Sequence, residues 1–275
     1  MSAGESGASV CGGAAHAAAA ERPARVFRRV IRIALGQEPG GPAEARAVVE
    51  DDYHHFRVSI LHDGRKVTGR RTQDLRKPFT LCGVAGQRLQ ALVGMPLSGD
   101  VMDSFRRIDA RQQCTHQLDI AALAIAAAAR GTRQRRYDIA VPLHAGRFVA
   151  ELRRDGQEIL SWEMLDEQIT APALFRGLGI GAGFSGWVAK HLNAEDAEAA
   201  LVLRRGAFLS VGRREDEPML AMATPSGVCW VHQPVRHTQA LGIADSVVNF
   251  SDVPERLTAD DEQWIRFADA SGAPN

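Results

Sequence analysis

The run RAVVEDDYHHFRVSIL at residues 46–61, followed by HDGR at 62–65 and KVTGRRT at 66–72, decides how this chain is expected to fold. The first run is crowded with Val, Ile, Phe and Tyr, a composition that suits a pleated, half-buried strand. Asp63-Gly64 is the dipeptide that supplies the positive φ of a tight hairpin turn. The two runs are therefore expected to pair antiparallel around it. Working outward, VFRRVIRIAL at 26–35 reads as another strand, with an imperfect alternation, and GQEPGGP at 36–42 as the loop between them.

Beyond the hairpin the apolar period lengthens toward that of a helix. Residues 82–94 (CGVAGQRLQALVG) place Leu89, Leu92 and Val93 on one stripe, and residues 100–108 predict a short second helix. A third helix is expected over 115–130, with Thr115 as its N-cap and Gly131 as the left-handed residue that ends it. Its alanines at 121, 122, 124, 126, 127 and 128 permit close packing against a neighbour. Three short strands follow at 137–141, 147–153 and 158–164, separated by turn signals at His144-Ala145-Gly146 and Asp155-Gly156. Residues 177–186 read as a Gly/Phe-rich loop, 194–205 as an amphipathic helix and 207–211 as a strand. The expected class is α+β: antiparallel β-sheet hairpins with packed helices, in one domain with room for two sub-lobes. That domain spans 23–255, between a disordered Ala/Gly-rich leader at 1–22, which holds Cys11 and His16, and a partly ordered C-terminal tail at 256–275.

Composition narrows the function. Lys plus Arg and Asp plus Glu are both 33, so no net field draws the chain to nucleic acid or to an anionic membrane. No apolar run approaches the roughly 20 residues that span a bilayer. Four scattered cysteines without a Cys-x-x-Cys pair suit a reducing cytoplasm better than a disulfide framework. Neither a Gly-x-Gly-x-x-Gly after a strand nor a phosphate-binding Gly-x-x-x-x-Gly-Lys-Ser/Thr is present, which leaves redox nucleotide and ATP chemistry unsupported. The expected partner is a small molecule, with a homo-oligomer left open.

Candidate chemistry gathers between Asp51 and Asp119. Cys114-Thr115-His116 opens the third helix, where backbone N–H groups favour an anion and lower a thiol's pKa. Cys114 is thus a candidate nucleophile or metal ligand, His116 its base or a second ligand, and Asp119 the group that orients the imidazole. The bland alternative is a buried Cys114 beside a helix-capping His116. In the acidic and histidine-rich strand, period-two alternation would put Asp51, Tyr53 and His55 on one face, and Asp52 and His54 on the other. His55 and His62 are the expected second acid–base groups. If the elements converge, Cys82, Cys114, His116 and His55 would form a four-ligand site for a transition metal, zinc or iron. The plain alternative is a polar outer face on an antiparallel sheet.

EDDYHHFRVSILHDGRKV at 50–67, RKPFTLCGVAGQRLQALVGMPL at 76–97, QCTHQLDIAALA at 113–124 and GVCWVHQP at 227–234 together resemble an uncharacterised bacterial family, domain-of-unknown-function family 2889. The resemblance covers roughly residues 25–255. It implies shared architecture but no established reaction, and an association with the breakdown of aromatic acids and their CoA thioesters. The expectation taken forward is a non-redox enzyme, a lyase or hydrolase, acting on a small organic acid or CoA thioester. The alternative is a non-catalytic protein that binds a metal or small ligand.

Overall fold

In the computed structural model, which describes residues 25–213 and 220–268, hydrophobic alternation builds one large antiparallel sheet. Its strands are β1 (Val26–Gln37), β2 (Ala43–Asp51), β3 (His55–His62), β4 (Val67–Arg76), β5 (Gln134–Pro142), β6 (Arg147–Arg154), β7 (Gln157–Leu165) and β8 (Gln168–Ala171). They lie in the order β4-β3-β2-β1-β5-β6-β7-β8. The helices are α1 (Cys82–Gly86), α2 (Met102–Arg107), α3 (Thr115–Arg130), α4 (Phe184–His191), α5 (Ala194–Val211) and α6 (Glu262–Ile265). This is the α+β class that the sequence predicts. No described helix is long and apolar enough to cross a membrane. The expected leader, with Cys11 and His16, lies outside the described residues.

One face of the sheet carries Phe27, Ile31 and Ile33 of β1, Ala45, Ala47 and Val49 of β2, and Phe56, Val58 and Ile60 of β3, all buried. Helix α3 covers these strands, and α5 covers β5 and β6. The alanines of α3 bring its backbone close to the sheet, and Ala121, Ala124 and Ala126 are fully buried. Gly206 does the same for α5, since a Cβ there would stand 2.5 Å from Ile139 Cγ2. Residues 248–267 cover the opposite face. Phe250 and Leu257 pack on Val30, and Ile265, Trp264 and Phe267 pack on Ala34 and Val48. The segment expected to be a tail from 256 thus contributes, as far as residue 268, to a second apolar layer beneath β1 and β2.

Several local expectations need correcting. Residues 46–61 form two strands, with Asp52, Tyr53 and His54 turning the chain between β2 and β3. The turn has no glycine because Asp51 builds it, its Oδ1 accepting from the N–H groups of Tyr53 (2.8 Å) and His54 (2.9 Å). A single alternation therefore cannot be carried across 50–55. Residues 207–211 continue α5 instead of forming a strand, because Ala207 and Ser210 keep the helical burial of Leu203 and Gly206. The helix expected over 82–94 divides into α1 and a 3-10 segment, Gln87–Leu92. Cys114, not Thr115, is the N-cap of α3. The expected Gly64 turn is present, with φ at +84°, and Gly131 ends α3 in the left-handed region.

Candidate active site

Arg29 interrupts the inward apolar row of β1, between Phe27 and Ile31. Its side chain is fully buried, and its Nη1 donates to Asp51 Oδ2 directly across the β1–β2 pair. A buried guanidinium without a counter-ion would cost several kcal/mol, so the Arg29–Asp51 pair is the electrostatic anchor of this region. Asp51 does three things at once. It neutralises Arg29, builds the β2–β3 turn, and places its Oδ1 3.0 Å from His54 Nδ1. Burial pushes the Asp51 carboxyl upward, but His54 and Arg29 outweigh it and hold the group well below the usual carboxylate range.

The turn aims His54 at α3, where its ring stacks on His116 with centroids 3.8 Å apart and planes inclined by 26°. Burial holds His54 below the ordinary histidine value, with Asp51 opposing. Burial, then the neighbouring His54, Arg29 and Arg205, lower His116 further. Both rings are therefore neutral near pH 7. A neutral His54 donates Nδ1–H to Asp51 and keeps the lone pair on Nε2, the tautomer a general base needs. His116 Nε2 is buried with no hydrogen-bond partner among the described residues. One turn along α3, Asp119 accepts from Arg205 of α5, Nε to Oδ2 at 2.6 Å and Nη2 to Oδ1 at 3.1 Å. Arg29, Asp119 and Arg205 meet at a narrow cavity of about 30 Å³ that Ile31, Phe105 and Leu123 also line.

The structure keeps one part of the expected site together and takes the rest apart. His116 and Asp119 are neighbours on α3, and Asp119 lines the cavity, but Asp119 is committed to Arg205 and does not orient His116. No hydrogen bond joins the Cys114 thiol to the His116 ring among the described residues. Burial pushes the Cys114 thiol up to about 12, which overturns the expected activated thiolate; desolvation outweighs the backbone N–H groups of Gln117 and His116. Burial also raises Cys82. His62 belongs to the β3–β4 turn, where its Nδ1 accepts from the Gly64 N–H at 3.2 Å.

The proposed four-ligand set of Cys82, Cys114, His116 and His55 is not assembled. Strand alternation sends Phe56 toward His116 and His55 to the other face of the sheet. There His55 Nε2 lies 2.9 Å from Asp261 Oδ2, and His55 Nδ1 lies 3.4 Å from Glu50 Oε1. Glu50, His55 and Asp261 are the one group of three ligand-type side chains close enough to share an ion among the described residues. Their oxygens are already engaged. Arg57 Nε donates to Asp261 Oδ1 at 2.5 Å, Arg76 Nη2 to Glu50 Oε1 at 3.0 Å, and Thr258 N–H to Glu50 Oε2 at 2.6 Å. Burial raises Asp261, but His55 and Arg57 outweigh it and hold the carboxyl below its usual range. The group fastens the segment around 258–261 to β2 and β3.

Arg29 and Asp261 are the participants that sequence reasoning missed. Arg29 left a trace, as a charged residue in the inward row Phe27, Arg29, Ile31, Ile33. Asp261 left none, since it meets His55 only through tertiary packing. No family model matches the chain, and no curated protein matches it. The chemistry of the site therefore rests on its own geometry.

The neutral stack carries a pH signature. Both histidines have folded pKa values below their ordinary value, so the unfolded chain takes up protons first as pH falls. The stability they allow is complete above about pH 6.5 and declines below it, by about 1.4 kcal/mol per pH unit for each site. His116→Phe keeps a stacking ring and removes one titrating site. Its urea midpoint is expected to fall less than the parent's between pH 7.5 and 5.5. Equal losses would show that His116 does not titrate in this way.

Proposed function

We propose that this chain is a non-redox enzyme, a lyase or hydrolase, acting on a small organic acid or its CoA thioester by general acid–base catalysis at His54. The observation that carries this reading is the Asp51–His54 pair, stacked on His116 and joined through Asp51 to Arg29, which forms part of the wall of the cavity. His54 Nε2 takes the proton, Asp51 fixes the ring and tautomer, and His116 fills the second acid–base place. Cys114 has no role as nucleophile, because its thiol stays protonated. Free thiols at Cys82, Cys114 and Cys229 suit a cytoplasmic location.

The test is a screen of short carboxylic acids and acyl-CoA thioesters for turnover, followed by His54→Gln. That variant is expected to lower kcat by about 10²–10⁴-fold while leaving the melting temperature within a few degrees. Full activity in the folded variant would sink the assignment.

A second reading, a non-catalytic protein that binds zinc or iron, is favoured by the Glu50–His55–Asp261 group. Arg57 and Arg76 argue against it, since they already balance both carboxylates. Elemental analysis of the purified chain decides the matter. Stoichiometric metal that is lost in His55→Ala would favour this reading over the first.

A further inference from the structure

We propose that the free edge of the Arg29 guanidinium is a docking fork for a carboxylate, so that the substrate of the proposed site is a small free carboxylic acid rather than a thioester. The proposal rests on the reading of His54 as a general base and narrows what that base acts upon.

Arg29 spends only Nη1 on Asp51. Nε and Nη2 are both buried and have no hydrogen-bond partner among the described residues. These two nitrogens share one edge of the guanidinium, and their N–H bonds point the same way. That parallel pair matches the two oxygens of a carboxylate, the bidentate geometry in which arginine binds such groups most strongly. Two unmet donors on a buried cation carry an uncompensated desolvation cost, larger because the group is charged. An occupant removes that cost.

The cavity says which occupant fits. Arg29 forms part of its wall, and about 30 Å³ holds two waters or one carboxylate head. Ile31, Phe105 and Leu123 supply apolar surface for a short stem. The other charged groups there are already satisfied. Asp119 holds Arg205 in a two-point pair, and Glu198 accepts from Arg130 and from Tyr137 Oη. Arg29 is thus the group at this cavity with donors to spare. A carboxylate on it would sit across the guanidinium from Asp51, whose other oxygen holds His54.

The Arg29 charge acts on both His54 and His116 and disfavours their protonation, so a carboxylate that offsets it favours protonating one of them. Carboxylate binding is therefore expected to take up a proton and to tighten as pH falls from 7.5 to 6. By reciprocity, the bound anion raises the proton affinity of the histidine pair by the same factor.

The experiment uses the full chain with nitrogen-15 in its arginine side chains. The probes are acetate and propionate, with chloride and methyl acetate as controls. Acetate is expected to give a saturable shift of the Arg29 Nε–H resonance, tighter at pH 6, while methyl acetate gives none. Arg29→Lys keeps the charge but not the fork and should weaken acetate at least tenfold. Because Lys at a buried site can disturb the fold, Leu123→Phe is the second variant. It fills the cavity without touching the Arg29–Asp51 pair and should abolish acetate binding with the fold intact. An Arg29 resonance that ignores acetate, or that responds equally to methyl acetate, overturns the proposal and leaves water as the occupant. Acetate that binds as tightly to Leu123→Phe overturns it too. The two readings fail separately. Acetate bound at Arg29 without any turnover that depends on His54 sinks the enzyme alone. Turnover that depends on His54 and is indifferent to acetate sinks the fork alone.

Discussion

Asp51→Ala is expected to cost about 3–5 kcal/mol of stability, the range for breaking a buried ion pair by removing one partner. Arg29 would be left charged and fully buried with no counter-ion. The same change strips the acceptor from the N–H groups of Tyr53 and His54 and frees the His54 ring. Asp51→Asn keeps an acceptor for the turn but not the charge, and should fall between the parent and the alanine variant. Removing both partners, with Arg29→Leu in the Asp51→Asn background, should cost less than the two single changes added together. Urea unfolding at pH 7.5 measures the parent, the three single variants Asp51→Ala, Asp51→Asn and Arg29→Leu, and the double variant. An alanine variant within about 1 kcal/mol of the parent would show that the Arg29–Asp51 pair does not anchor the turn.

Asp261→Ala is the second large change, expected to cost about 3 kcal/mol or more. It leaves His55 and Arg57 facing the gap where Asp261 joined them. The loss is also directional. Residues 250–268 should loosen from the sheet, uncovering Val30, Ala34 and Val48. Limited proteolysis is expected to cut the variant within that segment under conditions that spare the parent. Acetate binding at Arg29 should persist in the variant, because the fork lies on the other face of the sheet. A variant that resists protease as the parent does would show that the apolar contacts of Phe250, Leu257 and Ile265 hold the segment by themselves.

Legibility in the sequence followed the range of the interactions. Helix α3 was readable over its span, though not at its N-cap, because its signals are local: an alanine-rich periodic run and a glycine just beyond. Strands β5, β6 and β7 were readable from alternation between glycine-bearing turns. The β2–β3 turn was not, because its signal is a side chain bonding its own backbone, within a run that otherwise favours strand. That one misreading put Asp51 and His55 on a shared face and hid the pairing of Asp51 with His54. Cys114 failed for a different reason. Its position at a helix N-terminus was correct, but the sign of its pKa shift depends on burial, which spacing does not reveal. His55 and Asp261 meet across most of the chain, and nothing local to either announces the other.

The placement of β1 has a consequence for how the chain comes together. Six of the seven strand pairings join strands that follow one another in sequence, and the seventh pairs β1 with β5. Each of the six sequential pairings closes cheaply, whereas the β1–β5 seam must bring together the ends of a loop containing β2 to β4 and α1 to α3. Loop-closure entropy therefore concentrates the barrier to folding at that seam. Arg29, Asp51 and His54 all belong to the first meander, so their pairing does not wait for the second. Until the seam closes, one edge of β1 is open to other chains, and Arg28 and Arg32 stand along that strand as charges that discourage a stranger from adding to it.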